Sequence, residues 1–140
     1  MYTAMQIAQY IIEKCTKDDF PISNLQLQKI LYYVQKAALQ SSDRCPLFDD
    51  DFVAWQFGPV VEDVYYNYCG FGAMLIKRIY DTCIDAKTRM LIDPIIEEKR
   101  QLNPWDMVQE THKKDGAWDY TFKNLGNGAI IDKNLILQRG

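Results

Sequence analysis

The sequence predicts a mainly α-helical fold, with several helices packed around one central buried helix and only short β pieces. Three observations support this prediction. Apolar residues recur at helical spacing near the amino terminus, helix-start signals precede several such stretches, and the runs with strand propensity are short. The chain has 140 residues and no repeats or linker-like segments, so a single compact domain over residues 1–140 is expected.

The first helix is predicted over about residues 4–16, with Thr3 as its N-cap. Apolar side chains then recur so that, at about 100° per residue, they fall on a single stripe. These residues are Ala4, Ile7, Ala8, Ile11, Ile12 and Cys15. One face of this helix should therefore pack on a core.

The second helix is predicted to start near residue 24, because Ser23 and Gln26 have the spacing of a capping box. Its apolar residues form two stripes on different sides. The main stripe is Leu27, Ile30, Leu31, Val34 and Ala38, and the other is Leu25, Tyr32 and Leu39. A helix that is apolar on two sides usually lies between two layers. We therefore expect this helix to be the central, most buried element.

The segment after the second helix should contain a loop, a short strand and a corner. Residues 41–51 are mostly polar, and residues 52–57 form an aromatic run with strand propensity. Gly58 then interrupts the run, and Pro59 suits the first position of a helix. A third helix is therefore predicted to start at this corner, with Tyr66 pointing away from its buried stripe.

Three further helices are predicted in the second half of the chain. Asp85 should cap one of them, with Met90 facing inward and either a kink or a new helix at Pro94. Asn103 followed by a proline is the clearest helix start in the sequence. A short helix over about 117–124 should follow, and the tail is expected to hold a short extended piece and a last helical turn.

Composition and charge exclude several classes of function. The formal net charge of -3 and the pI of about 5.1 argue against a nucleic-acid binder. Glutamines interrupt the first residues, and no stretch is long enough to cross a bilayer, so neither a signal peptide nor a membrane contact is expected. The four cysteines lack C-x-x-C spacing. We therefore expect reduced, metal-free thiols in a cytoplasmic protein.

The sequence gives no positive sign of catalysis. His112 is the only histidine, so a Ser-His-Asp or Cys-His site would have to use it. It shares a helical stripe with Trp105 and Val108, which favours a half-buried, hydrogen-bonded structural histidine. No glycine-rich phosphate loop and no marked carboxylate pair is present. We therefore predict a protein that is not an enzyme and needs no cofactor.

Aromatic residues are the best candidates for a binding surface, because tyrosine and tryptophan are favoured at interface hot spots. The aromatic run contains Trp55, and two further tyrosines, Tyr32 and Tyr66, lie off the main core stripes. These three residues are the predicted partner-binding candidates. A second packing layer could instead bury Tyr32 and Trp55. For Phe57, burial in the core is the favoured prediction.

Several groups of residues together resemble the Panacea domain, the family of SocA-like and GepA-like phage-associated proteins. The groups are 27–35 (LQKILYYVQ), 46–48 (PLF), 54–61 (AWQFGPVV), 64–65, Leu102, Thr111, His112 and Trp118. The motif positions that we interpret as structural are Leu27, Lys29, Leu31, Tyr32, Gly58, Pro59, Val60, His112 and Trp118. The resemblance covers roughly residues 3–120 and favours a single Panacea-like domain.

The resemblance implies a bacterial or phage antitoxin that neutralises a toxin encoded by the adjacent gene. Neutralisation would occur by direct protein contact, or by handing the toxin to a protease. The family offers no catalytic residues to carry over. Two alternatives remain open from the residues alone. One is a DNA-binding regulator that uses Lys29 and Lys36 on the second helix, and the other is a small enzyme that uses His112.

Overall fold

The structure is a computed structural model that describes residues 1–140, with seven α-helices and one three-stranded sheet. Helical residues, including a short 3-10 helix at Cys69–Phe71, make up 56% of the chain, which confirms the mainly α prediction. The helices are α1 (Ala4–Lys17), α2 (Asn24–Gln40), α3 (Glu62–Tyr68), α4 (Ala86–Lys99), α5 (Pro104–Thr111), α6 (Ala117–Leu125) and α7 (Lys133–Arg139). The strands are β1 (Phe52–Trp55), β2 (Gly58–Val60) and β3 (Ile130–Ile131). Buried apolar residues from all seven helices form one core.

The first two helices start where the capping signals predicted. The Thr3 hydroxyl accepts a hydrogen bond from the backbone N–H of Gln6 at 3.1 Å, and the Gln6 side chain accepts one from the Thr3 N–H at 2.8 Å. Ser23 and Gln26 form the same reciprocal pair at the start of α2. Each cap contributes about 1 kcal/mol because it satisfies backbone donors that have no partner within the helix.

Helix α2 is the central element, as predicted. Eleven of its 17 residues are buried. It packs against α1, α3, α4, α5, α7 and β2, so its two apolar stripes face different layers. The second layer covers Tyr32, which is 2% exposed and meets the Phe52 ring edge-on at a centroid distance of 5.4 Å.

The predicted helix start at Pro59 is wrong, because Gly58 and Pro59 belong to a β-hairpin. Strand β1 pairs antiparallel with β2, so that Ala54 faces Pro59 and Trp55 faces Gly58 across a two-residue turn. The sheet order is β2-β1-β3, which places β2 at an edge. An edge strand tolerates proline because one side of its backbone needs no ladder hydrogen bond. Helix α3 begins only at Glu62.

Helix α4 corrects two further predictions. Met90 is 79% exposed, and Ile92 and Ile96 are the buried residues of this helix. The helix continues through Pro94, so no new helix begins there. Pro94 is exposed and lies four residues after Met90, whose carbonyl loses its helical donor. This carbonyl lies on the exposed side of the helix, where water can replace the donor.

The carboxyl-terminal part follows the sequence prediction closely. Helix α6 spans Ala117–Leu125, and the tail contains the short strand β3 and the two-turn helix α7. Strand β3 pairs antiparallel with β1, so that Phe52 faces Ile131, and completes the small sheet. Every helix is either too short or too polar to cross a membrane.

Candidate functional site: an aromatic surface on the β-hairpin

The β1–β2 hairpin brings aromatic side chains from three elements together. We call this group the aromatic surface. Its members are Trp55, Phe57, Tyr65, Tyr66 and Trp105. They come from the hairpin, from α3 and from the first turn of α5.

The rings of the aromatic surface form two edge-to-face groups, one that contains Trp55 and one that contains Phe57. The centroid of Trp55 lies 4.9 Å from that of Tyr65 and 5.9 Å from that of Tyr66. At the hairpin turn, Phe57 lies 6.1 Å from Trp105. Such contacts stabilise ring pairs beyond simple burial. Large areas nevertheless stay in solvent, since Phe57, Tyr66 and Trp105 are 50%, 58% and 63% exposed.

The hairpin rests on a stack of aromatic rings. The indole N–H of Trp118 donates a 2.7 Å hydrogen bond to the backbone carbonyl of Trp55. The Trp118 ring lies between His112, at a centroid distance of 3.6 Å, and Phe122, at 4.8 Å. Trp118 is buried, so this stack fixes the underside of the hairpin.

His112 is half-buried, as predicted, but the predicted hydrogen bond is absent. Its Nε2 atom is buried without a partner, and its ring lies parallel to Trp118 within 4°. Burial and the nearby Lys29 both lower the pKa of His112, which favours the neutral ring. No hydroxyl or thiol is hydrogen-bonded to Nε2, so the structure does not assemble the Ser-His or Cys-His pair that an enzyme hypothesis requires.

Lys29 lies beneath the hairpin and is fully buried. Its Nζ atom donates one long hydrogen bond, 3.4 Å, to the carbonyl oxygen of Pro59. Burial lowers the pKa of Lys29 to about 7. A Cβ atom at Gly58 would lie 2.5 Å from this Nζ, and the backbone φ of Gly58 is +118°. Close approach and backbone conformation thus both explain the glycine at this position.

Two buried glutamines of α2 hold the neighbouring loops. The side-chain oxygen of Gln28 accepts a hydrogen bond from the Val61 N–H at 3.1 Å. Gln35 accepts one from the Leu47 N–H and donates one to the Phe48 carbonyl, both at 2.8 Å. The motif 27–35 therefore positions both ends of the segment that carries the hairpin.

Two of the three predicted binding residues lie together on the aromatic surface, and the third is buried in the core. Trp55 is partly exposed and contacts Tyr66, which is exposed as predicted. Tyr32 is buried beneath Phe52, so it lies in the core and not on the aromatic surface. The second apolar stripe of α2 packs against the hairpin layer, which is the alternative that the sequence left open.

Three members of the aromatic surface are not among the binding residues that the sequence predicts. The predicted burial of Phe57 is wrong, because this residue occupies the exposed hairpin turn. Trp105 shares a helical stripe with the buried Val108, but it lies in the first turn of α5, beyond the edge of the core. Tyr65 lies next to Tyr66 on α3 and is only half-buried. A signal for Phe57 was its position directly before a glycine.

The lysines of α2 and the four cysteines do not form a second candidate site for DNA or metal binding. Lys29 is buried and Lys36 is half-buried, so neither offers the open cation that a DNA-contacting helix needs. The four cysteines are free thiols, with Cys15 buried and the other three exposed. No group of three His, Cys, Asp or Glu residues is placed to hold a metal ion.

Comparison with known proteins finds a matching family model and a similar protein. The sequence model of the family described as "Antitoxin SocA-like, Panacea domain" matches residues 27–119, a segment that contains most of α2, the hairpin, α3, α4 and α5. The protein Antitoxin SocA from Caulobacter vibrioides (strain NA1000 / CB15N) is 29% identical over 153 aligned positions. This alignment covers 97% of the present chain and 81% of the relative. No solved structure matches the chain.

Proposed function

The chain belongs to the antitoxin SocA-like, Panacea-domain family, and we propose that it neutralises a partner toxin by binding it directly through the aromatic surface. The partner is the protein encoded by the adjacent gene. The observation that carries this proposal is the exposure of Phe57, Tyr66 and Trp105 around one hairpin. Aromatic side chains in such positions are typical of interface hot spots.

The size of the molecule is compatible with this function. A standard protein–protein interface buries about 800 Å² on each partner. The accessible surface of the chain is 7385 Å², so such an interface needs about a tenth of it. Truncating one well-packed aromatic anchor in an interface typically costs about 2 kcal/mol or more. Several anchors side by side therefore support tight binding.

The support beneath the surface favours binding as well. The Trp118 hydrogen bond to the Trp55 carbonyl and the His112–Trp118 stack hold the hairpin from below. Side chains that are already ordered lose less conformational entropy when a partner docks. The aromatic surface is thus held in place before the toxin arrives.

Co-expression tests the proposal. The chain and the product of the adjacent gene are produced in one bacterial strain, and growth and co-purification are scored together. The wild-type chain should restore growth and co-purify with the toxin. Tyr66→Ala and Trp105→Ala should each weaken binding roughly thirtyfold with an unchanged melting temperature. Tyr120→Ala, another exposed tyrosine, which lies on α6 under Arg139, is the matched control.

Two results would contradict the proposal. If the wild-type chain neither restores growth nor binds the neighbouring product, the antitoxin function is wrong. If Tyr120→Ala weakens binding as much as Tyr66→Ala, the aromatic surface is not the binding site.

Toxin abundance during rescue separates two modes of action. A constant toxin level indicates occlusion, and a protease-dependent loss of toxin indicates delivery for degradation.

A further inference from the structure

The two other strongly exposed aromatic rings of this chain, Phe20 and Tyr120, each carry one of the chain's own cations, and so do the half-buried rings of Tyr33 and Phe71. Four rings outside the aromatic surface carry a lysine or arginine at 4.2–5.3 Å from the ring centroid. The pairs are Phe71 with Arg78, Tyr33 with Lys99, Phe20 with Arg100 and Tyr120 with Arg139. None of the five rings of the aromatic surface has such a cation. An aromatic ring face attracts cations. Among the strongly exposed aromatic residues, only those of the aromatic surface therefore have ring faces without a cation.

Carboxylates without an ion-pair partner stand next to these open rings. Glu62 and Asp63 lie in the first turn of α3, four and three residues before Tyr66, which places them on neighbouring positions of one helix surface. Asp106 follows Trp105 in the first turn of α5 and is hydrogen-bonded to its helix cap, Asn103. All three acids are exposed, and none forms a salt bridge.

The position of these acids has a local explanation, but not a complete one. A carboxylate in the first turn of a helix is stabilised by the helix dipole, which accounts for one acid at the start of α3 and of α5. The dipole does not account for the missing cations on the rings beside them. A cation with a flat face can interact with an open aromatic ring and with a carboxylate at the same time. Such a cation is therefore the partner group that complements both features of this site.

We infer that the face of the toxin that docks on the aromatic surface is cationic, with an arginine side chain over Trp55 or Tyr66 and paired with Glu62 or Asp63. This inference rests on the proposed function and specifies the chemistry of its partner. A guanidinium group stacks on aromatic rings and also donates a fork of hydrogen bonds to a carboxylate. The same acids would repel nucleic acid, so a basic protein surface is the occupant that fits.

Charge reversal in the complex provides the first test. The variant Glu62→Lys with Asp63→Lys should weaken binding of the neighbouring gene product roughly tenfold or more, and wild-type affinity should fall as salt rises. The control is Glu97→Lys with Glu98→Lys, two exposed adjacent acids on α4, which should change the affinity less than about threefold. If the wild-type chain binds and both double variants bind equally well, the cationic partner is refuted while the antitoxin function stands.

A second test needs no toxin. The isolated full chain is titrated with a nona-arginine peptide and with a nona-glutamate peptide, and the indole N–H signals are followed by NMR. Nona-arginine should shift the signals of Trp55 and Trp105 more than that of the buried Trp118, and nona-glutamate should shift none of them. Equal shifts for all three tryptophans would overturn the inference. So would a dimer of this chain that Tyr66→Ala abolishes, because a second copy would then occupy the surface.

Discussion

Replacing Lys29 with methionine should stabilise the protein at neutral pH. Lys29 is fully buried, and its Nζ atom has one hydrogen bond of 3.4 Å and no carboxylate partner. Burial lowers the pKa of this amine from 10.5 to about 7. The folded protein therefore resists protonation of a group that the unfolded chain protonates readily. Methionine has similar length and lacks the amine, so this substitution removes the conflict.

The size of the effect follows from proton linkage. At about pH 7 and below, the penalty is the gap between 10.5 and about 7, at about 1.4 kcal/mol per pH unit, or about 5 kcal/mol. The lost bond to the Pro59 carbonyl offsets about 1 kcal/mol of the gain. Lys29→Met should therefore raise the unfolding free energy by about 4 kcal/mol at neutral pH.

The pH dependence has a definite sign. Between the folded and unfolded pKa values, the unfolded chain binds more protons than the fold, so the penalty from Lys29 shrinks as pH rises. The stability gain of Lys29→Met should thus be full at about pH 7 and below, and should decrease through about pH 9.5 toward the unfolded pKa of 10.5. Contributions of groups that do not interact with Lys29 cancel in the difference between the two proteins.

Urea unfolding at about pH 7 and about pH 9.5 measures this difference. Lys77→Met is the control, because Lys77 is exposed and its replacement should change the unfolding free energy by less than about 0.5 kcal/mol at either pH. A Lys29→Met protein that is less stable than the wild type at neutral pH would refute the reasoning. So would a stability difference that does not change with pH.

Three further substitutions test the structure. Gly58→Val should destabilise by about 1–3 kcal/mol, because φ is +118° and the new Cβ would crowd the Lys29 amine; an unchanged melting temperature would contradict this. Tyr32→Ala should cost about 3–5 kcal/mol as a core truncation, and a stable variant that selectively loses toxin binding would return Tyr32 to the interface. Glu13→Gln should destabilise near neutral pH: burial opposes ionisation of Glu13, but hydrogen bonds from residues 80–82 outweigh it and lower the pKa below 4.5. That stability difference should fade as pH drops below 4.5, and a constant difference in acid would contradict the assignment.

Local signals made the amino-terminal half predictable. Helices α1 and α2 each carry a capping box and a continuous apolar stripe, and all of this information lies within a few residues. The hairpin was not predictable in the same way. A proline after a glycine suits either a helix start or an edge strand, and pairing with β1 decides between them. The buried amine of Lys29 against the Pro59 carbonyl is likewise a contact between distant parts of the chain.

The candidate site was only partly predictable for a related reason. A helical stripe indicates which side of a helix faces a core, but not where along the helix that core ends. Trp105 shares the direction of Val108 and lies beyond the core edge, so it is exposed while Val108 is buried. Tyr32 shows the opposite case, since it lies off the main stripe and is nevertheless buried by a layer that contains Phe52, twenty residues later.

The contrast between Tyr32 and Tyr66 explains why exposure at the hairpin points to a partner. Tyr32 is 2% exposed within the core, so its ring contributes its burial energy to folding. Tyr66 is 58% exposed, and the core beside it, including Val64 and Tyr68 on the same helix, is buried without covering this ring. Much of the apolar area of Tyr66 therefore remains available to a second molecule. A residue of this kind adds little to folding, so its loss should be detected in binding rather than in stability.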